Sequence, residues 1–139
     1  PRDSRRQTLT RRSTDFMSRV LVVDDSQMVR DFLQAILEGE QYEVVTASDG
    51  TDGLAMVRQT MPDLIVTDSL MPGLDGFAFL RTLRADPATV AIPVIMLTSE
   101  DPQGPEVAVR EPRPDAVVRK SADLGPLLEE VRLALQRQR

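Results

Sequence analysis

Five short apolar, β-branched runs recur along the chain, and most are followed by a helical stripe. The runs are Arg19–Val23, Tyr42–Ala47, Leu64–Thr67, Ile92–Leu97 and Ala116–Arg119. Each is strand-length, apolar and bounded by turn signals. Between them, apolar residues return at helical spacing. Val29, Phe32, Leu33, Ile36 and Leu37 form one stripe after Ser26, a residue suited to cap a helix, and Gly39 is a natural stop. Leu54 and Val57 form a second stripe, opened by Asp49-Gly50 and closed near Thr60 by Pro62. Phe77, Leu80 and Leu83 follow the turn Gly73-Leu74-Asp75-Gly76, and Asp86-Pro87 ends that helix. Leu124, Leu127, Leu128, Val131 and Leu135 mark the last helix. Strict strand–helix alternation with short connections predicts a parallel sheet covered by helices on both faces. Right-handed crossovers leave few topologies. The doubly wound order 2-1-3-4-5 is expected, with strands 1 and 3 side by side at the switch point.

That order matters because of what stands at the strand ends. Ligand chemistry in open α/β sheets occurs at the carboxyl ends of the strands. Strand 1 ends in Asp24-Asp25, strand 3 in Asp68, strand 4 in Thr98 and strand 5 in Lys120. Strand 2 ends without such a group, which suits an outer position. Three converging carboxylates repel by roughly 4 kcal/mol per pair at 4 Å and an effective dielectric of 20. Such a cluster favours a hard divalent cation held by oxygen, so Mg²⁺ is expected, with Mn²⁺ also fitting. Asp68 can then act as a nucleophile toward phosphorus, forming an acyl phosphate. Thr98 and Lys120 are placed to bind phosphoryl oxygens.

Composition narrows the chemistry. The 139-residue chain is long enough for one domain with a core. It contains no Cys and no His, which excludes thiolate or imidazole metal ligands, a histidine base and a phosphohistidine on this chain. Of 17 basic residues only one is Lys, and it is Lys120, at a strand tip. The net charge of −5 argues against direct nucleic-acid binding. No apolar run approaches the roughly 18 residues needed to cross a membrane, and no secretory leader is visible, so a cytoplasmic protein is expected with no membrane insertion. Residues 1–18 read as a disordered basic tail or a leftover of expression. Up to Phe16, five arginines against Asp3 and Asp15 give +3, leaving −8 for the rest.

The motifs Val22-Val23-Asp24-Asp25-Ser26, Asp68-Ser69-Leu70-Met71-Pro72-Gly73-Leu74-Asp75-Gly76, Pro93-Val94-Ile95-Met96-Leu97-Thr98 and Lys120 together resemble the receiver domain of two-component response regulators. The spacings match as well, with 43 residues from Asp25 to Asp68, 30 to Thr98 and 22 to Lys120. The resemblance assigns residues 19–138 to a flavodoxin-like (βα)₅ receiver domain. It implies that Asp68 accepts phosphoryl from a phosphohistidine on a separate sensor histidine kinase or phosphotransfer protein. It implies Mg²⁺ held by Asp25, Asp68 and the Leu70 backbone carbonyl, with Asp24 assisting. Thr98 would report the phosphoryl group and Lys120 would pair with it. Leu70 and Glu100 match variable positions that affect phosphoryl lifetime. The domain would be a signalling switch, catalysing only its own phosphorylation and dephosphorylation, with an unidentified downstream protein partner.

Three departures concern the output side. Val117 stands where the family has an aromatic, and no aromatic follows Phe79. Ser121 replaces the proline that usually follows the lysine. Pro102, Gly104, Pro105, Pro112 and Pro114 crowd the fourth helical segment, which is expected to be short or irregular. A degenerate receiver that binds partners independently of phosphorylation is therefore a second reading. A third is a phosphohydrolase of the haloacid dehalogenase kind. That family needs a second Asp two residues after the nucleophile, where this chain has Leu70.

Overall fold

The computed structural model describes residues 17–71, 73–99, 112–121 and 123–137. Its element order is β1 (Arg19–Val23), α1 (Gln27–Gly39), β2 (Glu43–Ala47), α2 (Gly50–Thr60), β3 (Leu64–Asp68), α3 (Gly76–Arg84), β4 (Val94–Thr98), β5 (Ala116–Arg119) and a C-terminal helix (Gly125–Arg137). The five strands form one parallel sheet in the order β2-β1-β3-β4-β5, as the alternation required. The short or irregular fourth helix was expected over a stretch that largely falls in 100–111, outside the described residues, as does Glu100.

Period-two alternation in the central strands sorts the core into two layers. Val20, Val22, Leu64, Val66, Ile95 and Leu97 pack with Leu33 and Leu37 of α1 and with Leu127, Val131 and Leu135 of the C-terminal helix. Leu21, Val23, Ile65, Val94 and Met96 face the other way, against Val57 of α2 and Phe79, Leu80 and Leu83 of α3. Every residue of β3 and of β4 is buried, which is why those runs lack polar alternation. β2 and β5, at the sheet edges, are only partly buried.

Several local expectations shift by a residue or two. β4 begins at Val94 rather than Ile92, because Pro93 has no N–H to give the ladder. Its carbonyl still accepts from the Ile65 N–H at 3.0 Å. β2 begins at Glu43, one residue after Tyr42. Gly39 does not stop α1 by adopting a left-handed conformation. It is the last helical residue, and the chain reverses at Gln41, whose φ is +70°. Phe32 is half exposed, although the stripe predicted burial, because the buried face of α1 centres on Leu33 and Leu37.

Candidate functional site

The C-terminal ends of β1, β3, β4 and β5 adjoin one another, and local backbone bonds fix what each presents. Asp24 follows β1, and its N–H donates to the Ala47 carbonyl at 3.1 Å. Its Oδ1 accepts from the Ser26 N–H at 2.9 Å. Ser26 in turn caps α1, accepting from the Val29 N–H at 3.3 Å. Asp68 ends β3, flanked by β1 and β4, and lies opposite Leu97 in the ladder. Ser69 continues the strand direction by donating to the Leu97 carbonyl at 2.9 Å. Asp75 then caps α3 through the Ala78 N–H at 2.9 Å.

The expected cluster forms. Carboxylate oxygens of Asp24, Asp25 and Asp68 lie within 4.8 Å of one another, with Asp24 and Asp68 buried and Asp25 exposed. The Lys120 ammonium bridges two of them, 3.1 Å from Asp68 Oδ2 and 3.3 Å from Asp24 Oδ2. Thr98, 2% exposed, ends β4 opposite Arg119. Its carbonyl accepts the Lys120 N–H at 2.8 Å, which ties the tip of β5 to that of β4. The Leu70 N–H donates to the Asp68 carboxylate, while the Leu70 side chain is exposed. Val117 pairs with Met96 and is partly buried. The Ser121 hydroxyl donates to the Asp123 carbonyl at 3.0 Å and accepts the Asp123 N–H at 2.9 Å, closing a local turn before the C-terminal helix.

The electrostatics follow from this packing. Burial pushes the Asp68 carboxyl above its ordinary value of 3.8; the Asp24 charge adds to the push, while bonds from Lys120 and the Leu70 N–H oppose it. Burial works against the Lys120 charge, but the hydrogen bond to Asp68 and the charges of Asp24 and Asp68 outweigh it. The ammonium is held above its ordinary 10.5 and stays protonated at neutral pH. Three carboxylates against one bound ammonium leave an excess of two negative charges. Asp24 Oδ2 is buried and accepts no hydrogen bond. An all-oxygen donor set, with a buried Asp24 oxygen that meets only the Lys120 ammonium at 3.3 Å and with a −2 excess, fits a small divalent cation.

Asp68 therefore costs the fold stability when ionised. A carboxyl whose folded pKa is raised favours folding most below 3.8, and that contribution is lost as pH rises through the folded pKa. Asp68→Asn should melt higher than the native chain at pH 7 without added Mg²⁺. Lys120 keeps Asp24 as a partner, and the Asn oxygen still accepts from it. The two melting curves should converge as pH falls toward 3.8. Equal stability at pH 7 would show that Lys120 already neutralises the cluster.

Sequence reasoning missed Arg30. Its Nη1 donates to the Asp24 carbonyl at 2.7 Å from the second turn of α1. A lone Arg beside a helical stripe gave no signal that it folds back onto the acidic loop. Among the described helices, none is long and apolar enough to cross a membrane.

Comparison with known proteins points the same way. The family model described as the response regulator receiver domain matches residues 20–132. Protein PilH of Pseudomonas aeruginosa is 38% identical over 119 residues, covering 86% of this chain and 98% of PilH. Response regulator PleD of Caulobacter vibrioides is 46% identical over 90 residues, covering 65% of this chain but only 20% of PleD, so the match spans about a fifth of that relative's length. The crystal structure of the response regulator TrrA from Thermotoga maritima, in complex with Mg²⁺-BeF, superposes with a TM-score of 0.77 at 30% identity, covering 86% of this chain and 100% of that one.

Proposed function

The chain belongs to the response regulator receiver domain family, and from that premise we propose that Asp68 is its phosphoacceptor, charged by a separate sensor histidine kinase or phosphotransfer protein. The observation that carries this reading is the placement of Asp68 at the tip of β3, bonded to Lys120 and within 4.8 Å of two further carboxylates. A carboxylate anchored at one oxygen by Lys120 presents the other as a nucleophile. Its oxygen forms the P–O bond as the P–N bond to the donor imidazole breaks. The electron pair leaves with the imidazole nitrogen, which then takes a proton.

This chain's residues would position and neutralise rather than shuttle protons. Asp25, Asp68 and the Leu70 carbonyl would hold Mg²⁺, with Asp24 as a further donor; Mn²⁺ fits the same oxygens. When bound, the cation supplies positive charge to the phosphoryl oxygens and offsets the carboxylates. Lys120 would exchange its contact with Asp68 for one with a phosphoryl oxygen. Thr98 would meet another, and its movement would alter the surface that a downstream protein reads.

Val117 and Ser121 support an output surface unlike that of most relatives, since no aromatic stands three residues before Lys120 to follow Thr98. They also keep alive a second reading, an interaction module indifferent to phosphate. Transfer of radiolabel from autophosphorylated sensor kinases separates the two. The proposed function predicts that a kinase labels the native chain and not Asp68→Ala, and that partner binding changes on labelling. Partner binding that is equal for the unlabelled, labelled and Asp68→Asn proteins would favour the phosphate-independent module instead.

A further inference from the structure

We propose that Arg30 is a positioning residue for the metal site, setting where Asp24 and Asp25 present their carboxylates. This rests on the reading that the acidic cluster binds Mg²⁺.

Asp24 is held at nearly every polar atom. Its N–H donates to Ala47, its Oδ1 accepts from the Ser26 N–H, and its carbonyl accepts from Arg30 at 2.7 Å. Only Oδ2 is left without a hydrogen bond, buried and 3.3 Å from the Lys120 ammonium. Two of the three anchors are backbone groups, the Ala47 carbonyl and the Ser26 N–H, which any sequence supplies. The Arg30 guanidinium is the side-chain anchor, and it grips the peptide that joins Asp24 to Asp25. Rotation of that peptide would swing Asp25, which is exposed.

The placement of Arg30 argues that this contact is its role. Its own N–H bonds the Ser26 carbonyl at 3.0 Å, so it sits in the opening turns of α1. A cation there opposes the helix dipole. The first turn of α1 carries no acidic residue to offset it. The guanidinium instead reaches back over the loop, where its charge-assisted bond to the carbonyl is stronger than a neutral one.

Positioning and simple electrostatics predict opposite signs. A cation close to a dication site repels the incoming ion, so charge alone says that its removal tightens Mg²⁺ binding. Loss of a group that orients the ligands weakens binding, commonly by 10–100-fold. The experiment is Mg²⁺ titration by calorimetry, well below the melting temperature, of the native chain, Arg30→Met, Arg30→Lys and Asp25→Ala. Arg30→Met is expected to bind about 10-fold more weakly. Arg30→Lys retains a cationic donor to the single carbonyl and should stay within about 3-fold of the native affinity. Unchanged or tighter binding by folded Arg30→Met, or an equal loss in Arg30→Lys, would overturn the assignment. A native chain that does not bind Mg²⁺, or one whose binding survives Asp25→Ala, would instead overturn the reading of the site.

Discussion

Gly76→Ala is expected to destabilise the fold by roughly 3–4 kcal/mol, although Ala is the better helix former by about 1 kcal/mol. Gly76 opens α3 directly against the tip of β3, and its N–H donates to the Ser69 carbonyl at 3.1 Å. A Cβ there would collide with the Asp68 carbonyl oxygen and lie 3.0 Å from Ser69 Cα. Both obstacles are backbone, and β3 is paired on both sides by β1 and β4. The strand cannot yield, so α3 must back away, taking Phe77, Phe79, Leu80 and Leu83 partly out of the core. Gly39→Ala is the matched control. Nothing lies within 4 Å of a Cβ at Gly39, the last residue of α1, and the same substitution there should stabilise by a few tenths to about 1 kcal/mol. Urea unfolding of both variants decides it. A Gly76→Ala chain as stable as the native one would mean that the approach of α3 to Asp68 is looser than described.

Mg²⁺ at 100 times its dissociation constant should stabilise the native chain by about 2.7 kcal/mol. At the same concentration Asp25→Ala should gain only about 0.4 kcal/mol, on the expectation that losing this ligand weakens affinity about 100-fold. Asp25 is exposed, so its removal takes little from the core, and the metal-free variant should fold normally. The excess of two negative charges left after Lys120 pairs with the cluster is the physical reason. A monovalent cation at equal ionic strength screens that excess without occupying it and should produce a much smaller shift. Equal Mg²⁺ stabilisation of the native and Asp25→Ala chains would remove Asp25 from the ligand set.

Legibility of the fold came from periodicity. Fully apolar β3 and β4, with helical stripes between strands, implied a parallel sheet buried on both faces, and the right-handed crossover rule left the order β2-β1-β3-β4-β5. The site was legible for a related reason: its acids and lysine stand directly after apolar runs, and strand order brings run ends together. What sequence could not supply was local reach. Phe32 belonged to the stripe of α1 by spacing, yet the packing centre on Leu33 and Leu37 left it half exposed. Gly39 looked like the helix stop, but the left-handed turn fell on Gln41. Arg30 has the composition of a surface residue, and only the curl of the β1–α1 loop brings the Asp24 carbonyl within its range.

The most direct test of the account is intact mass after incubation with acetyl phosphate and Mg²⁺, for the native chain and Asp68→Ala. One phosphoryl adduct is expected on the native chain, absent without Mg²⁺ and absent from Asp68→Ala in any condition. An adduct of the same mass persisting on folded Asp68→Ala would place the acceptor elsewhere and contradict the central claim.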